Sequence, residues 1–219
     1  MTAAIHDKNF RRFLIVRDGF YSDPDRIRGI AQSMKYQEHD DYTGFMTTQV
    51  YHERGVRRRL ENLLGVRITR WDTDPEEGNG IFYGGFSGGA NKETPGVHFD
   101  EPLDDITVVV YLTNGLPFGC GTSLWQHKKT GLMNAPSRSD AHRLKTTLKK
   151  LRARLERDTR NRDRWLEIDR VGYRFNRMVA YPSAVLHSAT RHFGTNVEGG
   201  RIYQTFRLGV DWRTFRFQK

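Results

Sequence analysis

Val97-His98-Phe99-Asp100 is the stretch from which the rest of the chain is best read. At a strand end, the period-two alternation of extended backbone sends the His98 imidazole and the Asp100 carboxylate to one face, as two neighbouring metal ligands require. A third ligand, His187, stands in Ala184-Val185-Leu186-His187-Ser188, an apolar segment far along the sequence. A second His-x-Asp match, His39-Asp40-Asp41, lies in a charged stretch with no apolar strand around it, so context selects His98. The alternative is that two His and one Asp are ordinary polar residues on strands.

The chain has 219 residues, enough for one substantial core, and no composition break asks for two domains. One domain over residues 1–219 is expected: a helical scaffold over 1–65, then a β core over 66–215 with a helical insertion at 138–165. No apolar run approaches the roughly twenty residues that cross a bilayer. The segment Met1 to Arg12 is polar and charged, unlike a signal peptide. Cys120 is the single cysteine, so no intramolecular disulfide can form, and a soluble, cytoplasmic protein without membrane contact is expected. The net charge of +10 and pI near 9.9 attract anions: nucleic acid, phosphorylated metabolites, an acidic carrier protein or carboxylate substrates. Charge alone does not choose among them, and a basic balance also occurs without any polyanion partner.

Phe13 to Val16 reads as a short strand, and Ser22-Asp23-Pro24 as a cap followed by proline at the first helical position. Ile27, Ile30, Ala31 and Met34 then make a buried helical face. A second helix is expected over Glu53 to Leu64, with Val56, Leu60, Leu63 and Leu64 inward and Gly65 as its stop. From Val66 the pattern becomes short β-rich segments between Gly, Asn and Asp, that of an antiparallel sandwich or barrel. Phe82-Tyr83 is one such segment. The loop Gly84 to Gly96 is either a cover over the site or an ordinary connection.

Ile106 to Asn114 is the clearest strand, with Ile106, Val108, Val110 and Leu112 on an apolar face. Thr107, Val109, Tyr111 and Thr113 share the mixed face, which should look into a site. Thr122 to Lys128 returns as a strand containing Trp125 and His127, the latter either a substrate contact or a hydrogen-bonded structural histidine. Ser139 or Asp140 can cap one helix running to about residue 160, in which Leu144, Leu148, Leu151 and Leu155 repeat at helical spacing. Its other face is basic (Arg143, Lys145, Lys149, Lys150, Arg152, Arg154, Arg157), either solvated or meeting a polyanion. Arg174 to Tyr181 and Ala184 to Ala189 are strands joined at Pro182-Ser183. In the last strand, Arg201 to Val210, apolar Ile202, Phe206, Leu208 and Val210 oppose Arg201, Tyr203, Thr205 and Arg207. That polar face implies a polar ligand.

Two His and one carboxylate form the facial arrangement of non-haem Fe(II) oxygenases and leave three of six positions for a bidentate cosubstrate and O2. An anionic cosubstrate needs a fixed cation, and the planar fork of Arg201 suits a carboxylate. The ordered set His98-x-Asp100, Tyr111-Leu112-Thr113-Asn114, Gly119 to Thr122, His187 and Gly200-Arg201-Ile202-Tyr203 resembles the prolyl-4-hydroxylase-like Fe(II)/2-oxoglutarate dioxygenases, over about Tyr83 to Val210. The resemblance implies a double-stranded β-helix (jelly-roll, cupin-like) core with flanking helices, and Fe(II), 2-oxoglutarate and O2 as cofactor and cosubstrates. By it His98, Asp100 and His187 are catalytic metal ligands, Arg201 pairs with the distal carboxylate of 2-oxoglutarate, and Tyr111 hydrogen-bonds it. Arg201-x-x-x-Thr205-Phe206-Arg207 also resembles the last strand of AlkB-like nucleic-acid demethylases, which makes Arg207 a second cosubstrate contact. The Asn-x-Tyr approach of that group is missing here.

The expected activity is hydroxylation of a small polar substrate, such as a free or carrier-bound amino acid or a natural-product intermediate, anionic substrates included. Trp125, His127 and Tyr203 are candidate substrate contacts. Asp100 stands where relatives that halogenate carry a small residue. The alternatives are a nucleic-acid-acting oxygenase, a basic nucleic-acid-binding module on a non-catalytic barrel, and a cupin-like metal-binding barrel.

Overall fold

The computed structural model describes residues 13–38, 45–100 and 105–215; His39-Asp40-Asp41 lies outside them. The described residues form, in chain order, β1 (Ile15–Arg17), α1 (Pro24–Ser33), β2 (Tyr36–Glu38), β3 (Phe45–Thr47), α2 (Val56–Leu64), β4 (Arg67–Arg70), β5 (Phe82–Gly85) and β6 (Ile106–Tyr111). There follow β7 (Thr122–His127), α3 (Arg138–Arg143), α4 (Leu148–Asp158), β8 (Trp165–Val171), β9 (Met178–Pro182), β10 (His187–Ala189) and β11 (Arg201–Asp211). The structure is mainly antiparallel β with few helices. The larger sheet runs β1-β9-β6-β11-β5-β3-β2, and β4 pairs with the end of β11; the smaller is β10-β7-β8. β11 is long enough to hold β5 along Arg201–Gln204, β4 along Gly209–Asp211 and β6 on its other edge.

Alternation decides what each face of the larger sheet meets. Val108 and Val110 of β6, Met178 and Ala180 of β9, and Ile202, Phe206 and Leu208 of β11 are buried against Ile27 and Ala31 of α1 and Val56, Leu60 and Leu64 of α2. The opposite face carries Val109, Tyr111, Val179 and Tyr181, packed with Cys120, Val171 and Tyr173. Behind the smaller sheet, Trp125, Trp165 and Leu186 bury Leu151 and Leu155 of α4. Burial at about 25 cal/mol per Å² of apolar surface makes these three layers the main stabilising contribution.

Several local expectations change. α2 starts at Val56 because Gly55 is left-handed (φ 81°); Glu53 stays outside the helix, bonded to Arg26 at 3.0 Å and to Arg59 at 2.8 Å. The single helix expected from Ser139 is two. Ser137 caps α3 in a capping box with Asp140, and Thr147 caps α4 by accepting the Lys150 N–H. Lys145, at φ 49°, turns the chain between them. Trp165 opens a strand, so the helical insertion stops short of 165, and the region called a helical scaffold also supplies β1, β2 and β3 to the larger sheet. Leu60→Ala, at a fully buried position, should lower the unfolding free energy by about 2–5 kcal/mol in urea denaturation, without reaching the other face of the sheet.

Candidate metal and anion site

His98 and His187 meet through an isolated antiparallel bridge: His98 N–H donates to His187 O at 2.9 Å, and His187 N–H to His98 O at 2.8 Å. A pair that exchanges both bonds places its side chains on one face, and the two ring centroids lie 4.3 Å apart. Two residues on, Asp100 N–H donates to Ser183 O at 2.9 Å, which keeps the segment extended and turns the Asp100 side chain to the same side. The ligating atoms of His98, Asp100 and His187 all lie within 4.8 Å of one another. The sequence expectation that these three residues converge is met.

Each imidazole is also oriented. His98 Nδ1 is 3.0 Å from Gly96 O and His187 Nδ1 is 2.8 Å from Val185 O. A carbonyl only accepts, so each Nδ1 carries a proton and Nε2 is the ring nitrogen left to face the site. Asp100 Oδ1 lies 3.8 Å from His98 Nε2, and Asp100 Oδ2 lies 3.8 Å from His187 Nε2. Asp100 is further held by Thr107 Oγ1 at 2.5 Å, itself bonded to Ser183 Oγ, and by Arg207 Nη2 at 3.5 Å. Burial pushes the Asp100 carboxyl up, but Arg207, the two imidazoles and Thr107 outweigh it and bring the pKa to about 2. Burial, then the neighbouring His98, lowers His187 to about 4. Around neutral pH Asp100 is therefore a carboxylate and His187 a neutral imidazole, the forms in which these groups bind a divalent transition metal.

These residues open onto a cavity of about 520 Å³ between the two sheets. Arg201, Tyr203, Thr205 and Arg207 all line it, as the polar face of β11 predicts. Arg201 is 2% exposed; Nε donates to Cys120 O at 2.7 Å and Nη2 to Gly121 O at 3.4 Å, and the guanidinium lies 4.2 Å from the Tyr203 ring centroid. Nη1 is buried without a partner, and no carboxylate among the described residues comes within 4 Å of Arg201. Arg207 differs, since its partner is Asp100.

Other candidates fall elsewhere. Tyr111 is fully buried and does not itself line the cavity; its hydroxyl is bonded at 2.7 Å to Thr122 Oγ1, which does, and its ring centroid lies 5.6 Å from the Arg201 guanidinium. The tyrosines on the wall are Tyr83, Tyr181 and Tyr203; Tyr181 packs 4.6 Å from the His187 ring. His127 is wholly buried between Thr130 Oγ1 (2.9 Å) and Asp158 Oδ2 (3.1 Å), which is the structural alternative and rules out contact with substrate. Trp125 supports the wall from behind, its indole N–H donating to Ser188 Oγ at 3.0 Å. Residues 86–96 do not line the cavity; Ser87 N–H and Gly88 N–H bond to Gly194 O instead. The outer wall is α4 and its C-terminal end, through Arg152, Leu155, Glu156 and Thr159. Val97 N–H donates to Thr159 O at 2.9 Å and so ties that end to the segment of His98 and Asp100. Nothing in the sequence pattern signalled that the basic helix borders the site.

Residues 94–202 match a family described as "Family of unknown function (DUF6445)". That span includes His98, Asp100, His187 and Arg201. No curated protein matches the chain. Among solved structures it is similar to the crystal structure of HygX from Streptomyces hygroscopicus with nickel and 2-oxoglutarate bound, at a TM-score of 0.50 and 12% identity, over 92% of this chain and 84% of that one. At that identity the likeness is one of fold. No helix among the described residues is long and apolar enough to cross a membrane.

The buried histidines predict a pH dependence. His187 is lowered to about 4, and His192, by burial and then by Arg201, to about 3, against an ordinary value of 6.5. Between those limits the unfolded chain binds protons that the folded chain does not, so stability rises with pH through this window. Metal-free protein should therefore lose thermal stability steadily as pH falls from 6.5 to 4.5, and His192→Gln should flatten the slope of Tm against pH.

Proposed function

We propose that this protein is an Fe(II)- and 2-oxoglutarate-dependent oxygenase with a double-stranded β-helix core of the prolyl-4-hydroxylase-like kind, hydroxylating a small polar substrate. The observation that carries the reading is Arg201: a buried cation with an unpartnered Nη1, on the wall of the cavity that holds His98, Asp100 and His187. An unpaired buried charge costs several kcal/mol, which a bidentate carboxylate would offset. A non-catalytic nucleic-acid-binding module has no use for such a group so deep between two sheets.

In this reading His98 Nε2, Asp100 and His187 Nε2 hold the metal, while Arg201 takes the distal carboxylate of 2-oxoglutarate. Bound Fe(II) supplies the means to couple oxidative decarboxylation of 2-oxoglutarate by O2 to hydroxylation of the substrate. The chain's own residues do the rest. Gly96 O and Val185 O fix the imidazole tautomers, and Thr107 and Arg207 keep the Asp100 carboxylate ionised and oriented. Tyr181, Val109 and Leu186 exclude water around the ligands. Arg207 serves the cosubstrate only at second hand, through Asp100, about 20 Å along β11 from Arg201.

Anaerobic protein with Fe(II) and 2-oxoglutarate should develop the weak visible charge-transfer band of the chelate; intact metal loading without a band would sink the assignment. Titrating that band, Arg201→Ala should weaken 2-oxoglutarate by about 2–5 kcal/mol, the cost of truncating one partner of a buried charge pair. Arg201→Lys should recover part of the loss, keeping the charge without the fork. Arg207→Ala should act on Fe(II) affinity instead. If Arg207→Ala abolishes 2-oxoglutarate binding and Arg201→Ala does not, the two roles are reversed.

A further inference from the structure

The basic segment and the cavity, separate features in the sequence, are one feature in the fold. Residues 138–164 hold eleven Lys and Arg against four Asp and Glu, a surplus of seven out of the net +10 of the whole chain. Within this segment α4 is the helix that walls the cavity, and Arg152 is the cation it places on that wall. Neutralisation is slight. Arg143 is paired with Asp140 and Arg157 with Asp158, but Lys145, Lys149, Lys150, Arg152, Arg154, Arg160 and Arg164 have no carboxylate within 4 Å among the described residues.

The wall itself carries the same imbalance. Its charged residues are Arg152, Arg201 and Arg207 against Asp100 and Glu156. A divalent metal and a dianionic 2-oxoglutarate cancel one another, so the loaded site keeps its positive excess. Arg162 adds to it from behind, bonded to Ser188 Oγ at 3.3 Å and to Pro95 O at 3.0 Å. Arg152 is the cation with freedom to meet a ligand: it is exposed, and its guanidinium lies 5.8 Å from the ring centroid of Phe99, the residue between two of the metal ligands. A group bound to Arg152 is thus at the door of the metal site.

We infer that the substrate carries a carboxylate or phosphate that Arg152 holds at the cavity mouth, with the surrounding basic face of residues 138–164 drawing it there. This rests on the oxygenase reading and names its substrate class. A guanidinium beside an aromatic face binds such anions by charge-assisted bonds, and a field of one sign around the mouth raises their encounter rate. Glu156, one helical turn beyond Arg152, adds discrimination by repelling a second negative charge on that side.

The test is calorimetric titration of protein loaded with Ni(II) and saturating 2-oxoglutarate, so that the Arg201 position is filled, using tripolyphosphate in one arm and citrate in the other. At low salt at least one probe should bind with a stoichiometry near one. Its Kd should rise about tenfold or more in Arg152→Gln, be partly restored in Arg152→Lys, and rise further with added NaCl. Arg58→Gln, an exposed arginine of α2, should change nothing. The arm that binds tells phosphate from carboxylate. Absence of binding in both arms overturns the inference, and so does an Arg152→Gln variant with unchanged affinity or an Arg58→Gln variant that loses as much. Failure of the oxygenase reading is seen separately, as a missing charge-transfer band, and the Arg152 dependence is then read on unloaded protein.

Discussion

Two hydrogen bonds given and received by the backbones of His98 and His187 hold the functional half of this molecule together. They join segments far apart in sequence, so closing the intervening loop costs entropy that must be recovered locally. Recovery comes from what the bridge assembles. Val97 and Leu186, neighbours of the bridged pair, are buried with Trp125, Trp165, Leu151 and Leu155 in one apolar cluster. The same contact that sets two imidazoles side by side also seats α4 against the smaller sheet, so ligand geometry and the outer wall depend on one piece of packing.

β11 performs the complementary task from the larger sheet. Its apolar residues face α1 and α2, and the alternation then leaves Arg201, Tyr203, Thr205 and Arg207 no direction but the cavity. A one-residue slip would turn two arginines into the helical core. The register is therefore held by burial on one side as much as by polar chemistry on the other, and it is held firmly, since β5, β4 and β6 all pair with this strand.

The sequence made the pairing of His98 with Asp100 on one face, the two faces of β6 and β11, and the first helix with its Asp23 cap legible, because each rests on a short-range period or a local cap. Less could be read where tertiary context decides. Tyr111 lies on the expected strand face, but the partner of its hydroxyl, Thr122, comes from the smaller sheet and no local pattern announces it. His127 and Trp125 lie on a buried strand like any site residue, and only the packing of Trp165 and Asp158 shows that they stand behind the wall. The break between α3 and α4 was hidden by a leucine spacing that two short helices satisfy as well as one long helix. β8 leaves no clear pattern in the sequence, since Leu166 and Ile168 face solvent and its charged residues mask any alternation.

Asp100 shows how the supporting residues divide the work between its two oxygens. Oδ2 accepts from Thr107 at 2.5 Å, a short bond backed by Ser183, whereas Oδ1 is engaged by Arg207 at 3.5 Å, the outer limit of a hydrogen bond. The first anchors the carboxylate and the second neutralises it with little geometric claim. Oδ1 therefore keeps the more available lone pair, and a cation approaching between the histidines meets one firmly oriented carboxylate with one oxygen to give. Tightening Arg207 onto Oδ1 would set guanidinium and metal in competition for the same electrons. The long contact is what lets Arg207 lower the pKa of Asp100 without occupying it.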